Sequence, residues 1–121
     1  VSRQHAAMRI NHLHLMVPDV PAASSFFEKY FALRKTSGNA GLTVLLDEQG
    51  FVLTLMKRSS KSSSAYPDHF HVGFFVDSES RVDAIHQHMR DDGIEAAAPR
   101  RAHAYSFYAP APGGFLVEVG A

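Results

Sequence analysis

The chain repeats itself. Residues 50–55 read GFVLTL and residues 114–119 read GFLVEV, an offset of 64, and only Thr54 against Glu118 differs in kind. A second match sets His12-Leu13 and Val17 on His71-Val72 and Val76, at an offset of 59. The five-residue difference corresponds to a longer loop in the second half. Such a duplication constrains the fold strongly, because each copy is one supersecondary unit that buries its apolar face against a neighbour. An offset of 57 would instead pair His12 and His14 with His69 and His71. The offset of 59 is preferred because it also aligns the strand ends with the helix starts.

Each half reads strand-helix-strand-strand-strand. Residues 9–17 (RINHLHLMV) alternate as a strand does. Asp19 or Val20 precedes Pro21, an early helical position, and Ala23, Phe26, Phe27, Tyr30 and Phe31 give the stripe of an amphipathic helix over residues 20–31. Residues 38–41 form a turn, and strands over 42–46 and 51–57 flank a hairpin connection at Asp47-Glu48-Gln49-Gly50. In the second half, residues 69–76 form a strand, and Ser78 caps a helix over 81–90 that Gly93 ends. Strands are predicted over 94–98, 102–109 and 115–119, with a turn at 110–114. The fold class is therefore α+β: two tandem βαβββ modules forming a curved, cup-like mixed sheet with the helices on its outer face. Residues 1–7 read as a processed end or cloning remnant, 8–58 as the first module, 59–66 as a Ser-rich linker and 67–121 as the second module, all within one structural domain.

The 121 residues are 45% hydrophobic, enough for a real core and too many for a disordered chain. Lys+Arg 12 cancels Asp+Glu 12, so the basic excess usual in nucleic-acid proteins is absent. No apolar run reaches the roughly 18 residues of a membrane span, and no signal peptide stands out. The expected partner is a small molecule, with no nucleic acid and no membrane, and the expected location is cytoplasmic. Zero Cys removes thiol catalysis and every thiolate metal site, so a metal would have to be held by His and carboxylate. Eight His keep that possibility open.

Strand parity narrows the eight. If Leu13, Leu15 and Val17 lie under the helix, His12 and His14 face away from it. If Phe70, Val72, Phe74 and Val76 take the helix side, His69 and His71 face away. Glu118 and its counterpart Thr54 follow, with Met56 on the same face. Two imidazoles and a carboxylate on one open surface suit a divalent metal (Fe, Mn, Ni, Co or Zn) with open coordination positions. His14, His69, Thr54 and Met56 would line the substrate pocket, with His14 and His69 as spare ligands. His5, His86 and His88 read as solvated positions. Lys57, Arg58, Arg100 and Arg101 could supply positive charge to a pocket, though solvated loop charges are the plainer reading.

The duplication resembles the vicinal oxygen chelate superfamily: glyoxalase I, bleomycin-resistance proteins, fosfomycin-resistance thiol transferases and extradiol dioxygenases. Three segments carry the resemblance: NHLHLMVPDVPAASSFFEKYFAL, HFHVGFFVDS and YAPAPGGFLVEVG. By position it implies metal ligands at His12, His71 and Glu118. Thr54 stands where typical bacterial glyoxalase I has a fourth ligand, a Glu. The remaining His-His-Glu set is similar to that of the fosfomycin-resistance transferases and the extradiol dioxygenases. SFYAPAPGGFLVEVG is similar to the end of an extradiol catalytic domain, which makes Tyr108 a candidate catalytic donor, with Tyr105 as the alternative. The resemblance implies lyase, thiol transferase or dioxygenase chemistry on an oxygen-chelating substrate, or drug sequestration of the bleomycin-resistance type. It also implies a homodimer with shared sites, in which His12 of one subunit meets His71 and Glu118 of its partner.

Overall fold

The structure is a computed structural model that describes residues 7–59 and 66–121; most of the residues assigned to the N-terminal end and to the Ser-rich linker, and His5, lie outside the described residues. The element order is β1 (His12–Val17), α1 (Val20–Phe31), β2 (Arg34–Gly38), β3 (Leu42–Leu46), β4 (Val52–Lys57), β5 (His71–Phe75), α2 (Glu79–Asp91), β6 (Arg100–Arg101), β7 (Tyr105–Ala111) and β8 (Phe115–Gly120). This is βαβββ twice. The expected curved sheet is divided within one chain into two four-stranded sheets, ordered β1-β4-β3-β2 and β5-β8-β7-β6. In each, the first strand of the module pairs in parallel with the last.

Register settles the repeat. His12 pairs with Val52 and His14 with Thr54, while His71 pairs with Leu116 and Gly73 with Glu118. His12 and His71 therefore occupy equivalent rungs, as the offset of 59 requires, and the equivalent of His14 is Gly73.

Local signals set the elements. The Asp19 side chain accepts from Ala22 N–H at 3.1 Å, which starts α1, and Pro21 sits in its first turn. The helix ends on Ala32 in the left-handed region (φ 55). At the β3–β4 hairpin, Asp47 Oδ1 accepts from the Gln49 and Phe51 amides, and Gly50 takes φ 88, which a side chain would resist. Ser78 caps α2 by accepting from Arg81 N–H.

Two expected strands need correction, and one strand was not placed by the sequence. Residues 94–98 are not a strand: Ala97 N–H reaches Tyr108 O, but no ladder forms beside it. Residues 102–104 form a bend before β7, which instead runs on through Ala111. The strand β2 carries no apolar alternation; its five residues are all exposed, and it is held by pairing to β3 across a bulge.

One core serves both modules. Leu15, Val17, Leu45, Leu53 and Leu55 from the first sheet, Phe26 and Phe27 from α1, and Phe107, Phe115, Val117 and Val119 from the second sheet are all buried in it. Phe27 of α1 lies near both Phe74 and Phe115 of the other module, at 6.0 and 6.4 Å between ring centroids, and Phe31 stacks on Phe74 at 3.8 Å. A Cβ at Gly113 would fall 2.9 Å from Val17 Cγ1, so the β7–β8 turn can sit against β1 only as glycine. Tyr66 bridges the modules again, its hydroxyl bonding Met16 N–H and C=O at 2.9 and 3.0 Å. On the outside, Tyr30 of α1 donates to Asp92 beyond α2 at 2.6 Å, with Lys29 at 2.8 Å from the same carboxylate. His88 is exposed, as a solvated position should be, with its ring edge-on to Tyr30; His86, also expected to be solvated, is half-buried edge-on against Phe107.

Candidate functional site

Alternation puts the predicted site residues on the sheet faces turned away from that core. In the first sheet, Leu15 and Val17 are buried while His12 and His14 are exposed. Thr54 and Met56 share their face, next to Leu42 and Val44 of β3. In the second sheet, Phe115, Val117 and Val119 are buried, and Glu118 emerges on the other side between Gly73 and Tyr108.

The second sheet holds a contacting group. His71 Nε2 lies 3.4 Å from Glu118 Oε1. The Tyr108 ring stands edge-on to His71, with centroids 5.3 Å apart. Burial, followed by the charge of Glu118 and a hydrogen bond to it, pushes the Tyr108 hydroxyl above its ordinary range, so at neutral pH it is a proton donor. His69 and Leu116 complete a small hollow of about 230 Å3 over His71 and Tyr108. His69 sits at a turn before β5 with φ 70, and its carbonyl accepts from His71 Nδ1 at 2.9 Å. On the other side of Glu118, Gly73, Phe75, His103 and Gly120 help line a second cavity of about 300 Å3.

Tyr105 does not join this group. It stands three residues before Tyr108 on the same strand, hence on the opposite face, where its hydroxyl donates to Asp83 of α2 at 2.5 Å. Its predicted catalytic role is withdrawn. Two of the four candidate cations are also occupied elsewhere. Arg58 donates to the Met16 and Gly113 carbonyls, and Arg101 forms a two-pronged ion pair with Glu79.

The first sheet holds the other half. His12 Nδ1 lies 2.7 Å from Asn11 Oδ1, and His14 Nδ1 lies 2.6 Å from Thr54 Oγ1. Among the described residues of one chain, no three His, Asp or Glu side chains come together closely enough to hold a metal ion. His12 is thus not brought to His71 and Glu118 within a single chain.

The three imidazoles nevertheless have one thing in common. The Asn11 side-chain oxygen and the His69 carbonyl can only accept, so they fix the proton on Nδ1 of His12 and His71. The Thr54 hydroxyl lies 2.6 Å from His14 Nδ1 and 3.5 Å from Leu13 O. All three rings thus have Nδ1 on a polar neighbour and leave Nε2 as the nitrogen open to a metal; in His71 it faces Glu118 Oε1. A partner on one ring nitrogen is what orients a metal-binding imidazole and sets its tautomer. The donor set fits a divalent ion: imidazoles and a carboxylate, no thiolate. Asn11 was missed by parity, which asks only which face a residue takes; an amide directly before a candidate ligand was the available signal.

The sequence matches the family model of the Glyoxalase/Bleomycin resistance protein/Dioxygenase superfamily over residues 9–119. The chain belongs to this superfamily. Within it, a possible glyoxalase from Bacillus cereus shares 46% identity, with 95% of this chain and 100% of that one covered and a TM-score of 0.88. A lactoylglutathione lyase from Agrobacterium tumefaciens (21% identity, 95% and 94% covered, TM-score 0.76) shows the shared fold alone. So does the E126Q mutant of the fosfomycin resistance protein FosX from Listeria monocytogenes, complexed with Mn(II) and 1S,2S-dihydroxypropylphosphonic acid (20% identity, 95% and 93% covered, TM-score 0.76). The superfamily fold and its enzyme-type relatives thus agree with the duplicated architecture. No helix among the described residues is long and apolar enough to cross a membrane.

Proposed function

We propose that the protein is a divalent-metal-dependent enzyme acting on a small substrate that chelates through oxygen, with each site assembled from two copies of the chain. The observation that carries this is the shared arrangement of His12 and His71: each has Nδ1 tied to an acceptor, and Nε2 of His71 faces Glu118 Oε1 at 3.4 Å. The Mn(II) bound by the structurally similar FosX supports the metal.

His12 of one copy would join His71 and Glu118 of the other. The site would need a second copy because one chain holds only two of these three donors together. The surface has something for that copy to cover. Ile10 and Phe75, 84% and 86% exposed, line one groove of about 500 Å3 between the start of β1 and the end of β5.

A divalent ion held there would polarise a substrate oxygen and stabilise developing negative charge. The chain's own groups do the rest. Tyr108, kept protonated, donates a hydrogen bond or a proton at its hydroxyl. Glu118 binds and orients. Met56, Val44 and Leu42, with Leu116 opposite, exclude water from the reacting groups. Thr54 cannot move a proton as a carboxylate would, which favours transferase or dioxygenase chemistry over the lyase reaction.

The second reading is sequestration of a bulky drug without protein-bound metal. The apolar open face of the first sheet, with Leu42 and Met56 both exposed, favours it. Calorimetry with Mn(II) and Co(II) separates the two. The enzyme reading expects tight binding that Glu118→Ala abolishes. Absence of binding, or binding indifferent to Glu118→Ala, contradicts it and leaves sequestration.

A further inference from the structure

The two modules differ at one rung in a way that the missing fourth carboxylate makes meaningful. In the second module, β8 supplies Glu118 and its β5 neighbour is Gly73, which has no side chain. In the first module, β4 supplies only the short Thr54, and its β1 neighbour is His14. A Cβ at Gly73 would meet nothing within 4 Å, so nothing there competes with Glu118. Each rung therefore carries one strong metal donor, but the donor has moved across to the neighbouring strand in the first module. The Thr54 hydroxyl is not idle: it lies 2.6 Å from His14 Nδ1 and so leaves Nε2 as the nitrogen turned outward.

We infer that His14 is a metal ligand in its own right, taking with its imidazole the place left by the carboxylate that Thr54 does not provide, and that Thr54 is its positioning residue. The inference rests on the proposed shared site. His12 and His14 lie two residues apart on one strand, so their side chains leave the same face about 7 Å apart, a separation that two imidazoles can close on one ion. The donor set becomes His12 and His14 from one copy with His71 and Glu118 from the other: three imidazoles and one carboxylate, still with room for substrate oxygen. A ligand set richer in nitrogen is more neutral and softer than one with two carboxylates, and it shifts preference from Mn towards Co, Ni or Zn.

The test is Co(II) titration of the full-length protein, read by calorimetry and by the visible ligand-field bands. His14→Ala should weaken Co(II) binding by at least about tenfold and change the bands. His14→Gln, which keeps the bulk and a hydrogen bond, should do the same and guards against an effect of folding. Thr54→Val should cost less than either His14 variant, at most about tenfold, the low end of what an outer-shell partner contributes. The double variant His14→Ala/Thr54→Glu should recover affinity, because the carboxylate returns to the strand on which the second module carries it. Wild-type affinity and bands in both His14 variants would overturn the inference. If His12→Ala and Glu118→Ala abolish binding in that case, the shared site stands without His14. If they too are silent, or the wild type binds no Co(II), the shared site falls as well.

Discussion

The open faces of the two sheets are built on one pattern and filled differently. Both carry a His on the first strand, at His12 and His71, with its Nδ1 tied to a neighbour. The second face gathers His71, Glu118 and Tyr108 into contact. The first face keeps its imidazoles apart, each on its own partner, among Met56, Leu42 and Val44. Duplication supplied two similar surfaces, and divergence made one the charged, proton-donating half and the other a neutral, apolar half. On the proposed reading, neither half is a site alone. The shared core explains how they could diverge: Phe27, Phe115 and their neighbours hold the modules together from the inner side, so the outer faces were free to change.

The contrast is broken most severely through the charged half. Glu118→Ala and His71→Ala should each lower metal affinity by more than about 100-fold, a larger effect than loss of any positioning partner. Both positions sit on an open face, so the melting temperature should hold. Calorimetry with a thermal-melt control checks this.

Phe75→Asp leaves every donor in place and should act almost as strongly by separating the copies. Size-exclusion with light scattering should show a shift to monomer, accompanied by loss of metal binding. A monomer that still binds metal would mean that each chain completes its own site.

The neutral half gives a milder effect. Asn11→Leu removes the acceptor that fixes the His12 tautomer, and metal affinity should fall by about tenfold, at the low end of what an outer-shell partner contributes.

Tyr108 tests the contacts of the charged half without any metal. Glu118→Gln removes a negative charge beside the hydroxyl but leaves its burial, so the Tyr108 titration should move down part of the way towards 10, seen by phenolate absorbance. An unchanged titration would separate Tyr108 from Glu118.

The smallest effect lies between the modules. Burial, then the hydrogen bond to Asp92, raises Tyr30 from 10.0 to about 12. The folded pKa exceeds the unfolded one, so this contribution is complete below pH 10 and fades as pH rises towards 12. Thermal melts across that window should show a loss in the wild type that is smaller in Tyr30→Phe.

Much of this was legible in the residues. α1 was bounded at Val20 and Phe31 because Asp19 and Pro21 mark its start and an aromatic stripe marks its face. The repeat matched His12 with His71 on one pair of rungs and Thr54 with Glu118 on the next pair on that face. What failed had no apolar signal or a misleading one. β2 is polar throughout and exists through its pairing with β3. Residues 94–98 are mostly Ala, which has little strand preference, Pro99 follows, and only Ala97 reaches β7. Tyr105 failed by parity that was available from the start: three residues from Tyr108, it had to take the other face. The hydrogen bonds of Asn11 and Thr54 to the imidazoles depend on side-chain direction, which alternation does not carry.

The central claim is that His12 of one copy works with His71 and Glu118 of another. Mixing His12→Ala with Glu118→Ala protein under conditions that exchange subunits tests it most directly. Each variant alone should bind no metal tightly, and the mixed dimer should regain one intact site out of its two. Failure of the mixture to regain any binding, with subunit exchange confirmed, would contradict a shared site.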